Sequence, residues 1–537
     1  MLREDRTGFP DTDFPADGVD TIAKAGMWAR ERYASLEALV DDEHRLTFEQ
    51  YVDAARGVAK GLLAAGIEIG DRVAVWAQNS TDFAVVVLGI HLSGGVLVPV
   101  NTRFKGPEVD FVLKQSRIKV AFSVEEFLGT RYADVLAGLW SDADRPQIVT
   151  LDTDGDGSLA ALVAAGQAIG DAQLDARIAD IDGEAIATIL FTSGTTGRPK
   201  GAMLKHAALV RAYWAWSGAA GMREGDRFLC SNPFFHAFGL KVGLLSALLR
   251  GVAIRPLAVF DAELALELIE RERITYYPGP PTIFQAMLSS PDLDKRDIST
   301  LRGSVIGSTA LPPALIRSMY ERLGFEEIHS PYGFTEGTGV ATITIASDDR
   351  ELVATTAGVP LPGIDVRIVR ADGTDADPGE VGEVVVSGYN RMAGYLDPET
   401  GHAASGSTSG ALFSGDLGEM DEQGYLRIRG RIKDMYIVGG FNVYPAEIEA
   451  CLQEMDAVQA AAVVGMPDER LGEVGCAFVV VEPGRSLTHQ EVAEWCRERL
   501  ANFKVPRAVV LVDALPLNAT GKVAKAELVH LLPSQPD

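Results

Sequence analysis

Cysteine is scarce in this sequence, and basic residues are outnumbered by acidic ones. The 537 residues include four cysteines, none of them in a Cys-x-x-Cys pair: Cys230, Cys451, Cys476 and Cys496. Scattered cysteines disfavour a disulfide framework or a zinc site and favour reduced, buried thiols. Lysine and arginine total 49 against 75 aspartates and glutamates, which gives a formal net charge of −26. Because that charge repels phosphate backbones, no nucleic acid partner is expected.

An unbroken membrane-spanning run is also missing. The one uncharged stretch that approaches the necessary length, residues 83 to 100, is interrupted by His91, Gly94 and Pro99. This pattern predicts a buried helix, a turn and a buried strand rather than a membrane span. The first residues are charged where a signal peptide would be apolar, and no peroxisomal tripeptide is present. We therefore expect a cytoplasmic location.

The sequence has no P-loop, because its Gly-Lys pair, Gly521-Lys522, is followed by valine. Any nucleotide chemistry must therefore use another phosphate-binding loop. The run Thr-Ser-Gly-Thr-Thr-Gly-Arg-Pro-Lys-Gly at residues 192 to 201 directly follows an apolar, strand-like stretch. Glycine lets the backbone approach a ligand, and backbone N–H groups and hydroxyls bind phosphate oxygens. The run therefore predicts a phosphate-binding loop rather than a polar surface loop.

Apolar runs at strand spacing alternate with helical patterns before residue 350. Strands are predicted at 72–76, 96–100, 187–191 and 303–306, and a helix at 261–271, which indicates an α/β fold with largely parallel sheets. An acidic stretch at 145–183 is predicted to join two such subdomains. Short strands between Asp-Gly and Pro-Gly turns predict a small antiparallel, barrel-like β unit near 355–432. We assign residues 1–432 to an N-terminal domain and residues 433–537 to a smaller α+β C-terminal domain.

Four further strings follow the phosphate-binding run in order along the chain: Tyr332-Gly333-Phe334-Thr335-Glu336, Ser414-Gly415-Asp416, Gly430-Arg431 and Asn518-Ala519-Thr520-Gly521-Lys522. Together with residues 192 to 201 they resemble the motifs of the adenylate-forming superfamily. That superfamily comprises acyl-CoA synthetases, coumarate and benzoate ligases, amino-acid adenylation domains and beetle luciferases. The resemblance extends from about residue 45 to residue 528. It implies an enzyme that converts a carboxylic acid and ATP to an acyl-adenylate.

The resemblance implies an ATP site built from these strings. Tyr332 would stack on adenine, Thr335 would contact the α-phosphate, and Glu336 would help to hold Mg²⁺, which prefers carboxylate oxygens and shares itself with phosphates. Asp416 would accept hydrogen bonds from the ribose hydroxyls, and Arg431 would donate to ribose and phosphate. Ser308 and Thr309 stand where the family often has Gly-Ala. The other ATP-binding residues implied are Thr192, Ser193, Gly194, Thr195, Thr196, Gly197, Lys200, Ser308, Thr309 and Gly333.

The same resemblance implies a mobile C-terminal domain. Lys433 occupies the family's hinge position, where a few backbone dihedrals change while the domain rotates. Lys522 matches the catalytic lysine, whose ammonium would stabilise charge that develops on the α-phosphate. Gly439, Gly440 and Phe441 belong to the loop expected to line the pantetheine tunnel of coenzyme A after rotation.

The acid is expected to bind near Phe234-Phe235-His236-Ala237-Phe238-Gly239, which matches the family's gate motif. His236 would orient the carboxylate or gate its entry, although a histidine outside such a motif is as readily a core residue. Amino-acid adenylation domains usually have an aspartate in this motif, and its absence disfavours an amino acid. Lys241 is an unusual charge nearby. The acid-pocket residues implied are Phe235, His236, Phe238, Gly239, Gly307 and Tyr332.

The favoured function is an AMP-forming carboxylic acid–coenzyme A ligase that releases pyrophosphate. An adenylating enzyme that loads a carrier protein is the alternative, and a luciferase-like oxygenase or a non-catalytic nucleotide-binding scaffold fits the residues less well. The strings at 232–236, 278–282 and 433–436 are similar to those of bacterial catabolic ligases, including enzymes that activate propanoate side chains left from steroid ring breakdown. The sequence leaves the acid and the oligomeric state open, with a homodimer as one option.

Overall fold

The computed structural model describes residues 9, 17–140, 145–192, 199–307, 313–397, 399–404, 410–439, 441–517 and 523–533. Within these residues the strands, numbered β1 to β27 in chain order, are Glu37–Val40, Arg45–Thr47, Arg72–Trp76, Val96–Pro99, Val120–Ser123, Glu126–Phe127, Thr130–Arg131, Gln147–Thr150, Ile186–Thr192, Lys200–Lys205, Arg227–Cys230, Ala253–Pro256, Gly303–Val305, Glu327–His329, Pro331–Tyr332, Thr342–Ile343, Val359–Pro360, Ile364–Val369, Gly382–Gly388, Gly394–Tyr395, Leu412–Met420, Leu426–Arg431, Tyr436–Val438, Phe441–Val443, Val458–Asp468, Gly472–Val481 and Ala508–Leu511.

The α-helices, numbered α1 to α16 in the same way, are Ile22–Arg32, Phe48–Ala64, Thr81–Ser93, Gly106–Ser116, Tyr132–Ala137, Leu159–Ala165, Asp171–Asp180, His206–Ala219, Ser246–Arg250, Ala262–Glu272, Pro281–Ser289, Pro313–Glu321, Arg350–Thr355, Pro445–Gln453, His489–Arg499 and Lys525–Val529. A π-helix, Phe238–Leu245, leads directly into α9. The helix predicted at 261–271 is α10, and the Asp261 side chain caps it by accepting from Leu264 N.

A seven-stranded sheet forms the centre of the N-terminal part, with strand order β20-β10-β9-β4-β3-β5-β8. The strands from β9 to β8 pair in parallel, and β10 and β20 add antiparallel pairs at one edge. The prediction for residues 83 to 100 is confirmed. Helix α3 ends at Ser93, Gly94 terminates it in the left-handed conformation with φ +83°, and β4 follows. None of the described helices combines the length and apolar composition needed to cross a membrane.

A second sheet joins β11, β12, β1 and β2, and β13 and β14 extend it through bridges at Tyr276. Strands β1 and β2 come from the start of the chain, whereas β11 to β14 come from its middle. The expected boundary at 145–183 therefore does not separate the two sheets. That segment supplies β8, α6 and α7 to the first α/β layer, where Leu162, Leu174 and Ile178 are buried. The many acidic residues on the surface of this segment make its apolar helical spacing difficult to recognise in the sequence.

The β unit and the C-terminal unit have separate sheets. Strands β18, β19, β21 and β22 form the predicted antiparallel unit. In the C-terminal unit, β24, β23, β26 and β25 pair in that order, and β27 joins β26 in parallel. Two apolar clusters pack against this sheet, one centred on Ile448 and Val463 and the other on Phe478 and Leu528. The mixed α+β architecture predicted after residue 433 is confirmed.

Candidate active site

The predicted phosphate-binding loop connects β9 and β10. Thr192 and Lys200 face each other as the last described pair of this antiparallel ladder. Ser193, Gly194, Thr195, Thr196 and Gly197 lie outside the described residues. On its other side β10 pairs with β20, where Ala202 faces Tyr395. The Lys200 ammonium lies 5.4 Å from the centroid of the Tyr395 ring, which places a cation and an aromatic hydroxyl at the base of the loop.

Glu336 meets this group from a different part of the chain. It lies in the 3-10 turn Thr335–Gly337, and the Tyr395 hydroxyl donates to its Oε1 atom at 2.7 Å. The Met392 N–H also donates to the Glu336 main-chain oxygen at 2.8 Å. Burial is the larger cause, and the neighbouring Glu336 carboxylate the smaller, that raises the pKa of Tyr395 well above its usual value. The phenol therefore keeps its proton and remains a donor. The structure thus brings Lys200, Thr335 and Glu336 to one location, as expected for residues that bind the phosphates.

Tyr332, Asp416 and Arg431 form a second predicted group. The Tyr332 hydroxyl donates to Asp416 Oδ2 at 2.8 Å, and Arg431 Nε lies 3.0 Å from Asp416 Oδ1. Asp416 and Arg431 are paired across β21 and β22, and the Ser414 hydroxyl accepts from Asp416 N at 3.0 Å. The carboxylate is therefore held by a phenol and a guanidinium. A Cβ atom at Gly333 would lie 2.3 Å from the Gly339 oxygen, so a larger residue does not fit there.

The residues predicted for the acid pocket follow strands of the second sheet. Strand β11, the segment at Tyr276 and strands β13 and β14 run in parallel. The carboxyl ends of β11, β13 and β14 lead to the loop with Phe235 and His236, to Gly307 and to Tyr332, respectively. Because the carboxyl ends of parallel strands meet at the same edge, these residues converge there. Ser308 and Thr309 lie outside the described residues.

The loop that carries His236 is tightly constrained. His236 Nδ1 accepts from the Phe238 N–H at 3.3 Å, Phe235 is buried, and the π-helix begins at Phe238. A Cβ atom at Gly239 would lie 2.2 Å from the Pro233 oxygen, which leaves room only for glycine. π-helices are rare in proteins, and those that occur are often found at functional sites. The structure thus fixes the predicted gate residues as one unit.

The residues assigned to the hinge and to coenzyme A lie at the start of the C-terminal unit. Lys433 is exposed, in a 3-10 turn between β22 and β23. Gly439 has φ +56°, and its N–H donates to the Leu471 oxygen at 2.8 Å. Phe441 is 58% exposed, and its ring stacks on that of Phe503 with centroids 4.7 Å apart. Gly440 and Lys522 lie outside the described residues, so their predicted positions are not tested.

The family model described as "AMP-binding enzyme" matches residues 27–396, and "AMP-binding enzyme C-terminal domain" matches residues 447–522. The chain belongs to the AMP-binding enzyme family. It is 42% identical to a 3-[(3aS,4S,7aS)-7a-methyl-1,5-dioxo-octahydro-1H-inden-4-yl]propanoyl:CoA ligase of Rhodococcus jostii, over 94% of this chain and 97% of the relative. It is 43% identical to the ligase of the same name from Mycobacterium tuberculosis, over 92% of this chain and 95% of the relative.

A solved structure supports the same assignment. The anthranilate CoA ligase AuaEII in complex with anthranoyl-AMP superimposes with a TM-score of 0.84 at 26% identity, covering 95% of this chain and 97% of that one. This AMP-binding enzyme is accordingly an acid–CoA ligase that works through an acyl-adenylate. The predicted enzyme class is confirmed, and the predicted resemblance to ligases of propanoate side chains agrees with these two relatives.

Two residues of this AMP-binding enzyme's site, Tyr395 and Asn79, are not indicated by any of the strings above. Tyr395 stands outside every string used above, yet it bonds to Glu336. Asn79 is buried, and its amide nitrogen lies within hydrogen-bond distance of the Cys230, Asn232 and Leu257 oxygens, while its Oδ1 accepts from Phe234 N at 2.7 Å. Asn79 therefore holds the loop that leads to His236. The signal available in the sequence was the position of Asn79, which follows the strand-like run 72–76 after Ala77 and Gln78. Polar side chains at the ends of strands often line a binding site.

Proposed function

We propose that two groups of side chains bind different parts of ATP. The group around Asp416 binds the nucleoside, and the group around Glu336 binds the phosphates. Asp416 accepts from the ribose hydroxyls, with Arg431 donating beside it, and the Tyr332 ring covers the adenine. Thr335 and Lys200 interact with the phosphates at the base of the β9–β10 loop. The observation that carries this proposal is the pairing of Tyr332 and Arg431 with the one Asp416 carboxylate, at 2.8 and 3.0 Å.

Glu336 is the proposed ligand for Mg²⁺. Its carboxylate accepts one hydrogen bond from Tyr395, which leaves oxygen lone pairs for a cation. A single protein carboxylate suits Mg²⁺, which keeps waters and shares itself with the phosphates of a nucleotide. Bound there, the cation would neutralise phosphate charge. Loss of all activity with EDTA, restored by Mg²⁺ or Mn²⁺, is the expected result, and full activity in EDTA would contradict it.

In the proposed first half-reaction, His236 orients the acid, and a carboxylate oxygen attacks the α-phosphorus. The bond from that phosphorus to the β-bridging oxygen breaks, and pyrophosphate leaves. The Lys522 ammonium stabilises the charge that builds on the α-phosphate oxygens. Rotation at Lys433 then replaces Lys522 by the loop of Gly439, Gly440 and Phe441. The coenzyme A sulfur attacks the acyl carbon as the thiol loses its proton, and AMP leaves.

We further propose that the acid is a bicyclic propanoate bearing ring carbonyl groups. Two relatives whose names specify that acyl group are 42% and 43% identical over nearly their whole length. Apolar and aromatic side chains such as Phe235 and Phe238 on the gate loop suit a bulky alicyclic acid better than a short polar one.

Pyrophosphate release with ATP and coenzyme A tests this acid against octanoate, benzoate and anthranilate. We expect kcat/KM to be at least about tenfold higher with the 7a-methyl-1,5-dioxo-octahydroindenyl propanoate, since extra apolar contacts are worth about 1–3 kcal/mol. Preference for a straight-chain acid would overturn the proposal. The homodimer and the cytoplasmic location stay predictions, which light scattering and cell fractionation can test.

A further inference from the structure

Lys241 is a buried ammonium beside the turn that carries Glu336. It lies in the π-helix and is 1% exposed, and its Nζ donates to the Thr338 carbonyl at 3.0 Å. The hydroxyl of Tyr213, from α8, donates to the same oxygen at 3.2 Å. Two side chains from different helices therefore converge on one main-chain oxygen, two residues after Glu336.

The residue that accepts these bonds has an unusual backbone conformation. Thr338 has φ +63°, in the left-handed region that β-branched residues rarely adopt. Such a conformation persists only when its surroundings hold it, and it is frequent at functional sites. Asn390 supplies a further restraint: its Nδ2 donates to the Gly337 and Val340 oxygens at 3.1 and 2.8 Å, and the Thr338 hydroxyl donates to the Asn390 oxygen.

The turn is held from two sides. Tyr395 and Met392 bond to the Glu336 side chain and main chain on one side. Lys241 and Tyr213 hold the Thr338 carbonyl on the other. Because the chain between these contacts is short, releasing one side would shift the Glu336 carboxylate. In enzymes, a misplacement of about 1 Å can cost about 100-fold in rate.

Burial makes a lysine costly here. Burial lowers the pKa of Lys241 to about 7, and the Glu336 carboxylate only partly opposes that effect. The side chain also borders a cavity of about 30 Å³ lined mainly by aliphatic side chains, including Leu240, Leu244 and Leu245. An apolar residue would pack against that wall without desolvating a charge. The contribution that an apolar residue cannot make is the hydrogen bond to Thr338.

We infer that Lys241 is a positioning residue for acyl-adenylate formation: by holding the Thr338 carbonyl it sets the Glu336 turn, and so determines how the enzyme uses metal–ATP. This inference rests on the proposed role of Glu336 in binding the metal. It predicts an effect on the first half-reaction through ATP, with little effect on the affinity for the acid.

Lys241→Met and Lys241→Gln, compared in the full-length enzyme, test the inference. Methionine removes the donor, whereas glutamine keeps an N–H donor without the charge. ATP–pyrophosphate exchange should show KM for Mg²⁺–ATP raised about tenfold in Lys241→Met, which corresponds to the loss of one buried hydrogen bond. Lys241→Gln should recover to within about threefold of wild type, KM for the acid should change less than about threefold, and conversion of supplied acyl-adenylate by coenzyme A should be retained.

Tyr213→Phe is the matched control, because it removes the second donor to the same oxygen and leaves the ammonium. It should change KM for Mg²⁺–ATP in the same direction by a smaller factor. Equal losses in both half-reactions of Lys241→Met, or a change confined to KM for the acid, would overturn the inference. So would an insoluble Lys241→Met together with unchanged ATP kinetics in Tyr213→Phe. Unchanged ATP and metal kinetics in Glu336→Ala would instead refute the proposed role of Glu336.

Discussion

Replacing Lys241 by methionine should change how the free energy of unfolding depends on pH. An ordinary lysine has a pKa of about 10.5, and that value applies in the unfolded chain. Burial lowers the pKa of Lys241 to about 7 in the folded protein. Between these values the unfolded state binds more protons than the folded state, so stability increases as pH rises from 7 to 10.5. Below pH 7 both states hold the ammonium, and the folded protein bears the full cost of burying it.

The size of this effect follows from the two pKa values. The difference between the two pKa values corresponds to about 5 kcal/mol of destabilisation at low pH. About 2–3 kcal/mol of this destabilisation disappears between pH 6 and pH 9. Tyr51 and His91, which line the same cavity as Lys241, and Tyr213, which bonds to the same oxygen, keep one protonation state over this window. Burial raises the pKa of Tyr51 and Tyr213 well above it, and burial lowers that of His91 well below it.

Urea unfolding, followed by tryptophan fluorescence at pH 6 and at pH 9, measures the difference between variant and wild type. Lys241→Met should be more stable relative to wild type at pH 6 than at pH 9, by about 2–3 kcal/mol. The hydrogen bond to Thr338 is lost at both pH values, and any difference in its strength between the ammonium and the amine is already part of the pKa difference. Lys295→Met, which replaces an exposed lysine, is the control. Its free energy of unfolding should differ from that of wild type by the same amount at pH 6 and at pH 9. Parallel pH profiles for Lys241→Met and wild type would refute the argument, because they would mean that burial does not disfavour this ammonium.

Three further variants test other parts of the site. Lys522→Ala should lose ATP–pyrophosphate exchange by about 100- to 1000-fold while still converting supplied acyl-adenylate to thioester, because its ammonium serves only the phosphoryl step; equal losses in both assays would show a role in both steps or in folding. Gly440→Leu should keep pyrophosphate exchange and lose thioester formation, and a parallel fall in the two would contradict the tunnel assignment. Asp416→Asn should lower kcat/KM for ATP by about 10- to 100-fold, since it weakens charge-assisted hydrogen bonds; normal ATP kinetics would place the ribose elsewhere.

Local features of this protein were determined by the sequence alone. Helix α3 begins where the Ser80 side chain accepts from the Phe83 N–H and ends where Gly94 takes a left-handed conformation. Helix α10 likewise begins at its Asp261 cap. Each of these contacts joins residues no more than a few positions apart, so the residue types are sufficient to predict them. The phosphate-binding run is similar: its position after a buried strand is visible in one short string.

The contacts that complete the site were decided by the tertiary structure. Glu336 bonds to Tyr395, 59 positions away, and Lys241 bonds to Thr338, 97 positions away. Asn79 reaches oxygens more than 150 positions along the chain. Tyrosine, lysine and asparagine are common residues, and nothing in their local sequence identifies their partners. The partners are set by how strands, helices and loops pack together, and that arrangement follows from the whole chain rather than from any segment of it.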